Sequence, residues 1–191
     1  MRKIYISGYI DDYIAWSKRE TREFLRDLAG TIISHGHRMV IGLGMGLGES
    51  ILAGAVQSIC RHGWRVEDWL YLQPFPPAPD PETGWEKYRQ SCISSADVWV
   101  VLFGNLRHGE SAQTTGAEGV LIEYQIALQN GVDVVPCGGT GYAARQIHDQ
   151  ISAHTPLPEA LSRKPDQLSE LIEPLMAYIG YLDEKNIAKI S

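Results

Sequence analysis

The chain has 191 residues, 44% of them hydrophobic, and a net charge of −6 from 17 basic and 23 acidic side chains. This length and hydrophobic content predict a single compact domain over residues 1–191 and leave little room for a second one. The acidic balance argues against nucleic acid as the main partner, and the lack of an apolar run of about 18 residues argues against a membrane-spanning segment.

The first predicted elements are a β-strand, Lys3–Tyr9, and a long amphipathic helix, Tyr13–Ser34. Apolar residues recur at helical spacing along the second segment, and Asp11 or Asp12 can cap its start. Gly36 is expected to end this helix. The chain enters its first strand without a signal-peptide pattern, which predicts a cytoplasmic protein.

A glycine-rich segment follows, between a predicted strand, Arg38–Ile41, and a predicted helix, Glu49–Arg61. Its four alternating glycines are Gly42, Gly44, Gly46 and Gly48. Glycines at such a junction let the backbone turn tightly and let a ligand approach the free N–H groups of the helix start. A turn that only packs a helix on a sheet needs fewer glycines, so the pattern favours a nucleotide phosphate site over a purely structural turn.

The middle of the chain contains a third predicted strand, Val66–Leu72, and a short predicted helix, Trp85–Ser95. Between them, Gln73–Glu82 holds half of the ten prolines and is predicted to be a stiff surface loop. A fourth strand, Asp97–Phe103, precedes a polar, glycine-containing loop, Gly104–Gly116.

The last part of the chain continues the alternation. It is predicted to contain, in order, the helix Gly119–Asn130, the strand Val132–Cys137, the turn Gly138–Gly141, the helix Tyr142–Ser152, and one or two helices within 167–184. Strands separated by helices imply right-handed crossovers. The sequence therefore predicts an α/β fold, a Rossmann-like, doubly wound parallel sheet of about five or more strands with helices on both faces.

Several glycine-containing turns lie where predicted strands end. They are Ser7–Gly8, Gly42–Gly48, Phe103–Asn105 and Gly138–Gly141. In open parallel sheets, ligands bind at the carboxyl ends of the strands. We therefore expect these turns to meet in one crevice.

Two charged residues are candidates for side-chain contacts with a ligand. Arg89 lies just before the fourth strand, where it can bind a phosphate bidentately or pair with Glu82 or Glu86. Glu123 follows Gly119 by one helical turn, and its apolar neighbours indicate partial enclosure. An enclosed carboxylate needs a partner, which ribose hydroxyls or a structural arginine would supply.

The cysteines and histidines give no indication of a metal or a cofactor. Cys60, Cys92 and Cys137 are odd in number, widely spaced and set in apolar runs, which favours three buried thiols over disulfides or a metal site. His35 and His37 have no acidic or cysteine residue nearby and are interpreted as loop histidines.

The glycine segment Val40–Gly48, followed by Leu52–Ala55, resembles the signature of the SLOG superfamily, a Rossmann-like group that includes the LOG phosphoribohydrolases and DprA. Tyr88–Gln90 stands where the LOG enzymes have a phosphate-binding arginine, and Thr115–Glu123 stands where they have a glutamate motif. That motif departs from the LOG pattern because its proline, second glycine and threonine are replaced by Thr115, Ala117 and Val120. The loop Asn105–Thr114 also resembles an insertion before it.

The chain is more similar to the sirtuin- or TIR-associated SLOG branch, the sensor module of Thoeris antiphage effectors. The shared motifs, in order, are Ile6–Gly8, Tyr88–Arg89, Phe103–Asn105, Glu123–Tyr124 and Pro136–Tyr142. The resemblance implies a sensor that binds a cyclic ADP-ribose isomer and activates an attached effector, such as an NAD hydrolase. It implies that Arg89 binds the pyrophosphate or ribose and that Glu123 accepts hydrogen bonds from the ribose or base. It also implies that this chain alone is not catalytic. A LOG-like nucleoside monophosphate phosphoribohydrolase is the alternative.

The predicted ligand-binding residues combine the strand-end turns with these motifs: Ser7, Gly8, Gly42, Gly44, Gly46, Arg89, Gly104, Asn105, Gly119, Glu123, Thr140 and Gly141. The chain is expected to be the C-terminal region of a longer protein whose effector domain lies elsewhere. A sensor that drives an effector needs two states with different interfaces, so a homodimer or larger oligomer is expected. Residues that could supply its interface, or pack in the core instead, are Trp64, Trp69, Tyr71, Leu171, Ile172, Leu175 and Tyr178.

Overall fold

The computed structural model describes residues 1–11, 13–42, 47–74, 84–107 and 114–190. The strands in these residues are β1 (Lys3–Tyr9), β2 (Arg38–Gly42), β3 (Leu70–Gln73), β4 (Val98–Phe103), β5 (Asn105–Arg107), β6 (Thr114–Gly116) and β7 (Asp133–Pro136). The α-helices are α1 (Lys18–Ser34), α2 (Gly48–Arg61), α3 (Gly84–Ser94), α4 (Glu118–Asn130), α5 (Tyr142–Ser152), α6 (Glu159–Ser162) and α7 (Ile172–Ile190). Short 3-10 helices span Val66–Asp68, Gly138–Thr140 and Leu168–Leu171.

Five strands form one parallel sheet in the order β3-β2-β1-β4-β7. The chain builds outward from β1 to β3, then returns to place β4 against the other side of β1. In β1, Ile4 is paired with Met39 of β2 on one side and with Val98 of β4 on the other. The strand order therefore reverses at β1, which is where doubly wound sheets open a crevice for ligands.

Side chains that alternate along the strands build two separate cores. Ile4 and Ile6 of β1, with their counterparts on β2, β4 and β7, pack against apolar residues of α1, α2 and α7. Tyr5 of β1, Val40 of β2 and Trp99 of β4 face the opposite way and pack against α3, α4 and α5. A period of two is what a strand buried on both faces requires. The predicted Rossmann-like α/β fold with helices on both faces is confirmed.

The first core depends on a close contact between α1 and α2 at Gly54. A Cβ added to Gly54 would lie 2.1 Å from the carbonyl oxygen of Arg26, an atom that cannot move without moving α1. We expect Gly54→Ala to lower the free energy of unfolding by about 2–4 kcal/mol, because the two helices must separate. Urea denaturation followed by circular dichroism measures this.

A matched control for this prediction is Gly180→Ala, since Gly180 also lies inside a helix but has no atom within 4 Å of the added Cβ. This change is expected to raise the free energy of unfolding by about 0.5–1 kcal/mol, because alanine loses less backbone entropy in a helix. Equal effects of the two substitutions would show that the α1–α2 contact does not depend on glycine.

Several predicted boundaries differ from the structure. Helix α1 begins at Lys18 instead of Tyr13, because Ser17 caps it by accepting a hydrogen bond from the Glu20 N–H at 3.1 Å. Asp11 instead accepts a hydrogen bond from the Arg107 N–H at 3.0 Å, and Asp12 lies outside the described residues.

The third predicted strand starts four residues later than expected, at Leu70, since Val66–Asp68 forms a 3-10 helix. The predicted loop Gly104–Gly116 contains the antiparallel pair β5–β6, in which Asn105 faces Gly116. Each of these two strands has only three residues, too few for a period of two to be visible in the sequence.

The prediction of three buried thiols is confirmed for two of the three cysteines. Cys92 and Cys137 are buried, but Cys60 is exposed. Cys60 lies near the end of α2, next to the buried Ile59, on the side of the helix that faces away from the sheet. Within the described residues, no group of three or more histidine, cysteine, aspartate or glutamate side chains could hold a metal ion.

Some of the residues expected to form an interface between protomers pack in the core instead. Leu171, Leu175 and Tyr178 pack in the cluster formed with α1, because the C-terminal helix covers one face of the sheet. Trp64 and Tyr71, at the other end of the sheet order, are each more than a third exposed. In the described part of the chain, no helix is both long enough and apolar enough to cross a membrane.

Candidate functional site

A cavity of about 150 Å³ opens at the carboxyl ends of β1 and β2. β1 contributes Tyr5–Tyr9, and Gly42 ends β2 at its rim. The start of α2, three side chains of α3 and one side chain of α4 complete the described lining. The cavity therefore lies beside the point where the strand order reverses, as the sequence predicts for a ligand site.

Within the described residues, no side chain caps the start of helix α2, which lies at this cavity. Leu47 is the N-cap residue, it makes no side-chain hydrogen bond to the first turn, and both Leu47 and Gly48 line the cavity. The first N–H groups of a helix have no partner within it, and they carry the positive end of the helix dipole. This edge of the cavity thus suits an anion.

Arg89 of α3 brings a positive charge to the same cavity. Its guanidinium lies 5.8 Å from the centre of the Trp85 ring, one helical turn earlier, in a cation–π contact. On its other side it touches Gly119, where an added Cβ would lie only 2.6 Å from Nη2. Gly119 therefore makes room for the arginine, which explains why a glycine stands at the start of α4.

Glu123 brings the opposite charge from α4, four residues after Gly119. Its side chain is buried, and its Oε2 accepts a hydrogen bond of 2.6 Å from the Ser7 hydroxyl. Burial raises the pKa of Glu123 to about 7, although the Ser7 hydrogen bond and the charge of Arg89 both act to lower it. Burial thus favours the neutral carboxyl group more than it is favoured in an exposed glutamate.

The Ser7 hydroxyl in turn accepts a hydrogen bond of 2.7 Å from the indole Nε1 of Trp99. We call these three side chains the Trp99–Ser7–Glu123 network. It joins β4, β1 and α4 under the cavity. Ser7 was predicted to contact the ligand, and the structure gives it this second role of holding Glu123.

The remaining polar side chains near Glu123 are neutral. The thiol of Cys92 shares hydrogen bonds with the hydroxyls of Tyr5 and Tyr88, and burial raises its pKa to about 11. Burial also raises the pKa of Tyr5 well above its ordinary value. Among the described residues that line the cavity, charge therefore resides on Arg89 and Glu123.

The structure divides the predicted ligand-binding residues between two places. Those that line or support the cavity are Ser7, Gly8, Gly42, Arg89, Gly119 and Glu123. Gly104, Asn105, Thr140 and Gly141 lie instead around the end of β4 and the start of α5, next to a gap of about 20 Å³. Gly44 and Gly46 lie outside the described residues.

The second group makes hydrogen bonds that hold its own turns. Thr140 Oγ1 accepts a hydrogen bond from the Phe103 N–H and donates one to the Cys137 carbonyl oxygen, both at 2.7 Å. Asn105 Oδ1 accepts from the Asp11 N–H at 2.7 Å. These polar groups are partnered within the protein, and the strand-end turns that line the described cavity are those at β1 and β2.

Sequence reasoning did not name Tyr5, Trp85 or Trp99 as part of the site, and it named Tyr88 only within the Tyr88–Arg89 motif. Trp85 could have been found, since it precedes Arg89 by four residues and so lies on its side of a helix. Trp99 reads as an ordinary core residue of a strand, and its link to Ser7 spans 92 residues of sequence.

Comparisons with known proteins identify relatives of the chain. The sequence model of the STALD family, the Sir2- and TIR-associating SLOG family, matches residues 1–185 of this chain. The NAD(+) hydrolase ThsA of Bacillus cereus (strain MSX-D12) is 29% identical over 152 residues, which are 79% of this chain and 32% of that protein. The NAD(+) hydrolase ThsA of Enterococcus faecium is 32% identical over 154 residues, 78% of this chain and 31% of that protein.

The chain thus spans about a third of the length of these curated relatives. Among solved structures, the X-ray structure of the structural genomics target TM1055 aligns with a TM-score of 0.49 and 21% identity, covering 83% of this chain and 84% of that one.

Proposed function

The chain belongs to the Sir2- and TIR-associating SLOG family, and we propose that its cavity is a sensor site for a signalling nucleotide of the cyclic ADP-ribose type. The observation that carries the proposal is the convergence of Arg89, Glu123 and the start of α2 on one cavity. This arrangement offers donors to a pyrophosphate and an acceptor to sugar hydroxyls, the two polar parts of such a nucleotide.

The site combines positive groups with a carboxylate. The guanidinium of Arg89 and the N–H groups of α2 would bind the pyrophosphate, in keeping with the preference of both for multivalent anions. Glu123 would accept hydrogen bonds from ribose hydroxyls, since the Ser7 hydroxyl engages only one of its oxygens. Trp85 would add an aromatic surface for the base.

The size of the cavity bears on how a nucleotide would bind. The described residues enclose about 150 Å³, whereas pockets for drug-sized ligands have roughly 300–1,000 Å³. A nucleotide would therefore extend past the described lining or displace part of it. A ligand that favours the displaced arrangement shifts the protein toward it, which is what a sensor requires.

Calorimetry tests the proposal directly. We expect saturable heat with a stoichiometry of one per chain for at least one cyclic ADP-ribose isomer, and weaker binding for NAD and for linear ADP-ribose. The linear molecules have more freedom to lose on binding and hence a larger entropic cost. The absence of heat for every cyclic isomer, in a sample that unfolds cooperatively, would refute the proposal.

We also propose that the chain acts as the sensor part of a longer Thoeris effector. The matched relatives are named NAD(+) hydrolases, and the chain corresponds to about a third of each. In this proposal, nucleotide binding changes how sensor domains associate in a cytoplasmic homo-oligomer and so activates an NAD hydrolase elsewhere in the protein. Coupling of this kind requires different affinities of the ligand for the two states.

A second candidate function is hydrolysis of the N-glycosidic bond of a nucleoside monophosphate. The observation in its favour is the buried Glu123, whose pKa of about 7 suits a group that stabilises positive charge on ribose when ionised. Chromatography of the protein incubated with AMP distinguishes the two functions. Release of free adenine that Glu123→Gln abolishes would favour the hydrolase, whereas binding without release favours the sensor.

A further inference from the structure

The Trp99–Ser7–Glu123 network has a direction that its chemistry imposes. Trp99 is fully buried in β4, and its one polar atom, the indole N–H, can only donate. Tyr5 of β1 is paired with Trp99, and Ser7 lies two residues further along β1 on the same face of the sheet. The indole therefore donates to Ser7 Oγ at 2.7 Å.

This donation constrains the single hydrogen of the Ser7 hydroxyl. With one lone pair of Oγ occupied by the indole, the hydroxyl donates to Glu123 Oε2 at 2.6 Å. The carboxyl oxygen Oε2 is thus held as an acceptor, whereas Oε1 accepts no hydrogen bond among the described residues, and Glu123 lines the cavity. The second lone pair of Oγ could still accept from neutral Glu123, but donation by the indole polarises the hydroxyl and so strengthens its own hydrogen bond to the carboxylate.

We propose that Trp99 is a positioning residue: its indole N–H polarises the Ser7 hydroxyl and strengthens its hydrogen bond to Glu123 Oε2, which favours the carboxylate and leaves Oε1 as the oxygen that meets a ligand. The part that concerns the ligand rests on the proposed nucleotide site. The part that concerns the proton on Glu123 is a property of the protein without ligand.

Other groups that face Glu123 are unchanged when Trp99 is altered. Arg89 on α3 favours the carboxylate by its positive charge. Tyr5 on β1, with Cys92 and Tyr88 on α3, forms a neutral hydrogen-bonded group beside it. Because these groups stay the same, a change in the pKa of Glu123 reports on the Trp99–Ser7–Glu123 network.

The test is a titration of side-chain carboxyl carbons by ¹³C NMR in the ligand-free protein, with the Glu123 signal assigned by its loss in Glu123→Gln. In Trp99→Phe, the Ser7 hydroxyl is no longer polarised by the indole and donates more weakly to the carboxylate, so we expect the Glu123 pKa to rise by about half a pH unit. A tryptophan analogue with sulfur in place of the indole N–H, incorporated at position 99, keeps the ring size and should give the same shift.

Trp16→Phe is the matched control, because Trp16 is buried against the opposite face of the sheet. It should leave the Glu123 titration unchanged. An unchanged pKa with both replacements of Trp99 would overturn the proposal, and so would an equal rise in Trp16→Phe, which would indicate general loosening. If Trp99→Phe does not fold, the sulfur analogue decides the result alone.

Nucleotide binding provides a separate measurement. If the wild-type protein binds a cyclic ADP-ribose isomer, the pH at which binding falls to half its maximum should rise in Trp99→Phe by the same amount as the NMR midpoint. A binding midpoint that stays in place while the NMR midpoint moves would overturn the role of Oε1. If the wild type binds no isomer, the proposed function fails, and the carboxyl titration still decides whether Trp99 polarises the Ser7 hydroxyl.

Discussion

Arg89→Ala is expected to weaken nucleotide binding by at least about 100-fold while the protein remains folded. A guanidinium that binds a phosphate bidentately makes two charge-assisted hydrogen bonds, each contributing about 1.5–3 kcal/mol. Within the described lining, no other cation can replace it. Loss of Arg89 also removes a charge that lowers the pKa of Glu123, so less carboxylate is available at neutral pH. Calorimetry with a cyclic ADP-ribose isomer measures the effect.

Two further variants make this result specific. Arg89→Lys keeps the charge but loses the planar fork, so intermediate affinity is expected. Arg22→Ala, at an exposed position of α1, should bind as the wild type does. Urea denaturation should show a change of no more than about 1 kcal/mol in all three, in line with substitutions outside the core. Normal binding by Arg89→Ala would remove the arginine from the site, and unfolding would show that it is mainly structural.

Glu123→Gln is expected to stabilise the fold at pH 8 and to abolish nucleotide binding. The pKa of Glu123 is about 7 in the folded protein against an ordinary 4.5, so folding favours the neutral form. Ionising this buried group costs nothing below pH 4.5, a growing amount between the two values, and the full amount above pH 7. The full cost corresponds to about 3 kcal/mol, and a neutral glutamine does not incur it.

The sign of the pH dependence separates this prediction from a general effect of the substitution. Urea denaturation should show Glu123→Gln to be more stable than the wild type at pH 8, and by a much smaller margin at pH 5. Glu118→Gln, at an exposed position of the same helix, should show no such difference. If the difference in unfolding free energy between Glu123→Gln and the wild type is no larger at pH 8 than at pH 5, the raised pKa of Glu123 is contradicted.

The opposite effects on stability and binding would themselves be informative. A carboxylate that destabilises the fold at neutral pH is retained only if it serves another purpose, and groups with perturbed pKa values cluster at functional sites. If Glu123→Gln were stabilising and bound nucleotide normally, the carboxylate would have no role in recognition, and the proposed site would have to rely on Arg89 and α2 alone.

Much of the fold could be predicted because local patterns determine it. β1 was predicted to the residue, since Lys3–Tyr9 combines strand-forming residues with a turn. The start of α1 was missed because Asp11 and Ser17 are both good caps, and contact with Arg107, far along the chain, decides between them. Local sequence cannot show which of two equivalent caps is occupied by another partner.

The charged residues of the site could be predicted individually, but their spatial arrangement could not. Arg89 and Glu123 were identified from residue type and neighbours, and both reach the cavity. The hydrogen bond between Ser7 and Glu123 spans 116 residues, and nothing local distinguishes this serine from one exposed at a turn. Gly119 was predicted to meet the ligand, whereas its described contact is with the guanidinium of Arg89. Such roles depend on how α3 and α4 pack, which is a tertiary property.

The packing of α3 beside α4 gives a bound nucleotide a mechanical role as well. Arg89 and Glu123 belong to different helices, so a molecule that binds both is a non-covalent cross-link between them. The cross-link would add to the packing of α3 against α4 and hold the two helices at a set distance. Any surface that rests on the outer side of α3 would then meet a stiffer support when nucleotide is present, without touching the nucleotide at all.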